Sequence, residues 1–178
     1  MSPPLQLHGT VECMTELSVR PATVDDAGAI AVAHHSAWVQ TYSDLLPAEH
    51  WASDTVARRR HRWRDRLSRR VPGHPLVAVV DEQVVGFAQA GSTRGKDGVP
   101  PVQSDELWSL YVRPEHHGSG IGALLLDAVL PARRPAELWV AEANPRARRF
   151  YEKHGFAQDG ARFTDAHEIV QIRMVRGH

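Results

Sequence analysis

The chain has 178 residues, 42% hydrophobic and 24% charged, which suits one domain with a sizeable core. Twenty-one Lys and Arg offset twenty-one Asp and Glu, so the chain as a whole has no field to draw in nucleic acid or an anionic membrane. A single cysteine, Cys13, excludes an intrachain disulfide, and no apolar run approaches the ~20 residues of a membrane helix.

In chain order, residues 1–16 contain Pro and lack periodicity, which predicts a flexible tail ahead of a single domain over 17–178. They also lack a basic stretch followed by an apolar one, so no secretory signal is expected and a cytoplasmic location follows as the default. Residues 17–20 (LSVR) read as a first strand stopped by Pro21. Thr23 is a good N-cap, and Ala27, Ile30, Ala31, His34 and Trp38 recur at helical spacing to about Tyr42. After Leu46-Pro47 a second helix is expected over about 48–70, with Val56, Trp63 and Leu67 as its apolar stripe. Eight arginines crowd its other faces. That face reads either as a nucleic-acid contact or as a solvated surface whose arginine stems cover apolar area. Zero net charge and the lack of interleaved aromatic residues favour the second, with no nucleic-acid partner.

Residues 76–80 and 84–90 predict a hairpin turned at 81–83, and 91–104, rich in Gly, Pro and charge, an exposed flexible loop. A fourth strand follows at 106–112, a glycine-rich turn at 118–122, an apolar helix at 123–130 and a fifth strand at 137–141. A short helix at 144–154 and a final strand within 167–176 complete an α/β or α+β arrangement. Eleven histidines are scattered with no HExxH or Cys/His cluster, and the adjacent pairs 34–35 and 116–117 point apart in any regular element. No metal site is therefore expected.

The densest motif is residues 110–129, LYVRPEHHGSGIGALLLDAV, in which a strand runs through GSGIG into an apolar helix. Glycines let the backbone approach a ligand closely, and the first amides of a helix have no intrahelical partner, so such a turn suits phosphate oxygens. A P-loop would need Lys-Ser/Thr after its last glycine, and a dinucleotide fold would need GxGxxG at the first βα turn. Neither fits. An acyl-CoA pyrophosphate loop and a glycine-rich turn with no ligand stay open on the motif alone.

The turn resembles motif A of the GNAT superfamily of acyl-CoA-dependent N-acetyltransferases, (Gln/Arg)-x-x-Gly-x-(Gly/Ala), with His117 in place of the usual Gln or Arg, then Gly120 and Gly122. Residues 144–156, NPRARRFYEKHGF, are similar to the family's N-x-x-A-x-x-F-Y-x-x-x-G-F block at every marked place, and the likeness extends over about 18–176.

The resemblance implies a mixed, mostly antiparallel sheet of six to seven strands flanked by about four helices and splayed between strands 4 and 5. It implies acetyl-CoA as the cofactor, in contact with Leu110, Tyr111, Val112, Arg113, His117, Gly118, Ser119, Gly120, Ile121, Gly122, Ala123, Asn144, Arg148 and Tyr151. Backbone groups of Leu110 and Val112 would pair with pantetheine, the amides of the turn would hold pyrophosphate, and Arg113 and His117 would add positive charge. Tyr151 takes the place of the general acid. Glu106 is a candidate base, with an ordinary strand-end carboxylate as its plain alternative; His116 and solvent are further candidates. Trp38, Tyr42 and Trp108 are candidates to line the acceptor pocket, or else core. The implied reaction is direct acetyl transfer to a primary amine of a small molecule. A protein or peptide acceptor and a non-catalytic acyl-CoA-binding module remain open, as does a homodimer.

Overall fold

The computed structural model describes residues 16–43, 46–69, 72–96, 98–131 and 134–177. The segment expected to be a tail, with Cys13, lies outside the described residues apart from Glu16. Within them, alternating strands build one sheet: β1 (Leu17–Pro21), β2 (Leu76–Val80), β3 (Gln83–Ser92), β4 (Asp105–Val112), β5 (Ala136–Ala141), β6 (Ala157–Thr164) and β7 (Val170–Arg176). Their order is β1-β2-β3-β4-β5-β7-β6, antiparallel except for β4 beside β5. Both the strand number and the mixed character are as the sequence led one to expect.

The helices are α1 (Ala27–Tyr42), α2 (Ala48–Ser53), α3 (Val56–Ser68), α4 (Ile121–Val129) and α5 (Pro145–Lys153). Side chains alternate across the sheet. Val77 and Phe87 face one way, into a core with Ile30, Trp63 and Leu67 from α1 and α3. Ala78 and Ala88 face the other, against Ile121 and Leu125 of α4. Full burial of each such large apolar side chain is worth about 1.5–3 kcal/mol. Among the described residues no helix is long and apolar enough to cross a membrane.

Three expectations change. The helix expected over 48–70 is two helices. Asp54 turns inward to hydrogen-bond Arg59 Nε, and the Thr55 hydroxyl accepts from the Arg58 amide (3.3 Å), so Asp-Thr ends one helix and caps the next. A strand, β6, occupies 157–164, where no element was expected. It is an edge strand, and most of its residues are exposed, so it carries no apolar alternation to find. The loop expected to be flexible is tied down. Buried Glu137 accepts from the Val102 and Gln103 amides (2.7 and 3.0 Å) and the Thr93 hydroxyl (3.0 Å), while Arg173 donates to the Pro100 carbonyl (2.7 Å).

Candidate active site

The site arises where β4 leaves β5. The two strands pair only at Glu106–Glu137 and Leu107–Leu138. Opposite β3, Gln89 faces Ser109 and Ala90 faces Leu107, so Trp108 is an extra residue, a bulge that bends β4 away. A cleft of about 470 Å³ opens beyond it, walled by Leu107–Val112 on one side and Trp139–Ala141 on the other. The Arg113 amide donates to Val85 on β3 (2.8 Å). By strand alternation, the amides of Leu110 and Val112 then point away from β3, into the cleft.

The glycine turn sits at the mouth. Gly118 and Gly120 hold φ of +83° and +88°, a region open to glycine at little cost, and a Cβ on either would meet no atom within 4 Å. Gly120 is the N-cap residue of α4; the Ile121 amide donates to the Ser119 hydroxyl (3.5 Å) and the Ala123 amide to the Gly120 carbonyl (3.0 Å), while the Gly118, Gly120 and Gly122 amides have no partner among the described residues. Gly122 differs. A Cβ there would come within 3.3 Å of the Phe150 ring, so this glycine lets α4 pack closely on α5. Asn144 caps α5, its side-chain oxygen accepting from the Ala147 amide (3.0 Å), and both residues line the cleft.

All three tyrosines of the chain, Tyr42, Tyr111 and Tyr151, meet at this cleft. Burial pushes the Tyr151 phenol above its ordinary range, and the neighbouring Tyr111 and Tyr42 add to the shift. Its hydroxyl has no hydrogen-bond partner among the described residues, whereas the Tyr111 hydroxyl accepts from Trp38 Nε1 (3.1 Å). Two other polar atoms in the cleft wall, Ser109 Oγ and Trp139 Nε1, are buried without a partner. A wall with unmet donors and acceptors is built for a polar ligand.

Behind Tyr111 lies His34, its ring 4.7 Å away, with Nδ1 accepting from Trp63 Nε1 (3.3 Å). Burial first, then the Arg59 charge, lower its pKa from 6.5 to about 3. The folded value lies below the unfolded one. Its stabilisation is therefore complete above about pH 6.5 and is lost as pH falls towards 3, at up to about 1.4 kcal/mol per pH unit. His34→Asn keeps an acceptor for Trp63 but cannot titrate. It is expected to flatten the acid limb of a melting-temperature profile between these values. Equal slopes in variant and wild type would refute this origin.

Of the residues expected to hold cofactor, Leu110, Tyr111, Val112, His117, Gly118, Gly120, Gly122, Ala123, Asn144 and Tyr151 line the cleft, as do Trp38, Tyr42 and Trp108. Four others do not. Arg113 pairs with Glu115 (2.6 Å), and the Ser119 hydroxyl donates to the His116 carbonyl (2.7 Å). The Ile121 side chain is buried in the core, and Arg148 donates to the Glu142 carbonyl (3.2 Å). Burial first, then the adjacent Arg146, lower the His117 pKa, which weighs against the positive charge expected of it. Nε2 donates to the Val112 carbonyl (3.0 Å), and Nδ1 accepts from Arg146. Arg146, which the sequence reading passed over, is the cation at the cleft. Its place in the x-x of an N-x-x-A block gave no sign of that.

Glu106 is buried and lies outside the cleft lining. Its carboxylate accepts from the Arg94 amide and guanidinium (both 2.9 Å), anchoring the start of the loop after β3. These contacts fit the strand-end alternative. Glu106→Gln is expected to lower the melting temperature while leaving the pH profile of any activity in place, and a displaced acid limb would reinstate it as a base.

A model of the acetyltransferase (GNAT) family matches residues 36–156. An uncharacterized N-acetyltransferase of Archaeoglobus fulgidus is 41% identical over 81 residues, 43% of this chain and 54% of that protein. The L-amino acid N-acyltransferase MnaT of Escherichia coli is 32% identical over 120 residues, 66% of this chain and 63% of that protein. The chain thus spans between about half and two thirds of the length of these curated relatives. The crystal structure of PaiA N-acetyltransferase from Thermoplasma acidophilum in complex with coenzyme A shares the fold. Its TM-score is 0.68 at 20% identity, over 92% of this chain and 99% of that one. The stretch that the family model matches takes in both the glycine turn and the helix bearing Tyr151, and the chain belongs to the acetyltransferase (GNAT) family.

Proposed function

We propose that the protein transfers an acetyl group directly from acetyl-CoA to a primary amine of a small molecule. The observation that carries this is the junction of three features at one cleft: the open glycine turn, an unpaired edge of β4, and a partnerless Tyr151 phenol. The residues fit the cofactor. Space without a Cβ at Gly118 and Gly120 suits a pyrophosphate, and the unmet Ser109 Oγ and Trp139 Nε1 suit a polar arm laid along the wall. PaiA, of the same fold, carries coenzyme A, and MnaT is named for amino acid acceptors, which supports a small amine.

Acetyl-CoA, when bound, supplies the acetyl group as a reactive thioester. The Gly118, Gly120 and Gly122 amides would hold the pyrophosphate, and those of Leu110 and Val112 would hold the arm. The Val112 amide also faces the developing oxyanion, where a preorganised donor acts most strongly. As the amine nitrogen bonds to the carbonyl carbon and the carbon–sulfur bond breaks, Tyr151 would give its proton to the departing sulfur and be restored by the second proton that the nitrogen sheds in becoming an amide. The proton that the ammonium must lose goes to water or to His116, since no carboxylate lines the cleft among the described residues.

Thiol release from acetyl-CoA across a panel of amines tests the reading, with free thiol expected only when an amine is present. Tight calorimetric binding of acetyl-CoA with no thiol release for any amine would replace it with a binding module.

A further inference from the structure

Through Trp38 and Trp108, which line both, the cleft meets a second and larger groove of about 1410 Å³. Among the described residues, six arginines and two aspartates line it, in a chain with no net charge. Most of this charge is matched. Arg59 and Arg62 bind Asp54, Arg69 binds Asp65, and Arg94 rests on Glu106.

Arg66 is the exception that matters. It has no carboxylate partner among the described residues, and its Nε is buried with no hydrogen-bond partner. Burial and the like charge of Arg94 both weigh against its protonated form. Arg94 faces the groove from the other wall, its guanidinium 4.7 Å from the centre of the Trp108 ring. The Arg94 charge thus weighs on Arg66, which also keeps an unmet buried donor. An anionic ligand would relieve both costs, and a planar fork of N–H donors matches carboxylate and phosphate geometry.

We infer that the groove seats an anionic group of the acceptor, a carboxylate or a phosphate, between Arg66 and Arg94, leaving the amine end to pass Trp38 and Trp108 into the cleft. The inference rests on the acetyl-transfer reading and narrows its acceptor to amines that carry an anion.

The test compares matched pairs, L-methionine with L-methioninamide and phosphoethanolamine with ethanolamine, on full-length wild type, Arg66→Ala and Arg66→Lys. Folding of each variant is checked by its melting temperature. In at least one pair the anionic member should have a kcat/KM about tenfold or more above its neutral partner, as a charge-assisted contact provides. Which pair responds separates carboxylate from phosphate. Arg66→Ala should raise KM for the anionic member about tenfold without lowering kcat and leave the neutral member unchanged, with Arg66→Lys recovering part of the loss. Calorimetric binding of the same compounds to the CoA-loaded protein reads the groove without turnover. Anion binding that depends on Arg66 but brings no thiol release would retire acetyl transfer and keep the groove. Neutral amines used as well as anionic ones, indifference to Arg66→Ala, or turnover of an acidic peptide alone would each overturn the inference.

Discussion

Gly120→Glu is expected to abolish acetyl-CoA binding, raising Kd about 100-fold or more, which corresponds to about 2.7 kcal/mol or above. Two effects combine. The residue holds φ of +88°, so any side chain there carries left-handed strain of about 1–2 kcal/mol. The larger effect is on the ligand. No atom lies within 4 Å of a Cβ at this position, so the free protein has room for the start of a side chain, and the new carboxylate is expected in the space proposed for pyrophosphate. It also sets a negative charge where the α4 amides and helix dipole favour binding an anion. Gly120→Ala separates the two, since it has the strain without the charge; it should melt lower than wild type while binding within a few-fold. Gly122→Ala should fail differently, by pressing on Phe150 at 3.3 Å and loosening α4 from α5. Calorimetric titration of the three variants checks this. Wild-type affinity in Gly120→Glu would remove the cradle from the proposal.

The features legible in the sequence were those whose chemistry is local. A glycine turn between a strand and a helix, and an Asn-capped helix with Tyr151 one turn from its end, are each fixed within about a dozen residues. The structure sets both beside one cleft. The illegible features depend on contacts across the sheet. Glu106 and Glu137 are partners in register on β4 and β5, and both are buried carboxylates that hold the 93–104 loop. Nothing local distinguishes such a glutamate from a base at a strand end. The lowered pKa of His117 likewise depends on burial and on Arg146, 29 positions away. The break between α2 and α3 was within reach, because Ser53-Asp54-Thr55 is a run of capping residues inside an otherwise helical pattern. The arginine face of α3 had two readings from sequence. Only the groove it forms with Trp108 and Arg94 gives it a direction.

Tyr151→Phe removes one oxygen from a side chain that is only 8% exposed, so packing is nearly preserved and the change falls on proton transfer. We expect kcat to drop about 100-fold, the lower range for loss of a general acid, with acetyl-CoA affinity unchanged. The phenol's raised pKa sharpens the expectation. Burial favours its neutral form, so the proton stays in place through neutral and mildly alkaline solution, and any loss of activity from its ionisation must come above the ordinary phenol value of about 10. The variant should therefore run parallel to wild type at every pH below that, lower in rate but with no limb displaced. Tyr111→Phe is the comparison that isolates position from chemistry. Its hydroxyl is already engaged by Trp38, so its loss should disturb acceptor binding more than the departure of sulfur. If Tyr151→Phe kept kcat within twofold of wild type while Tyr111→Phe lost it, the acid would have to be reassigned to Tyr111, and the partnerless hydroxyl would become a packing detail of the cleft wall.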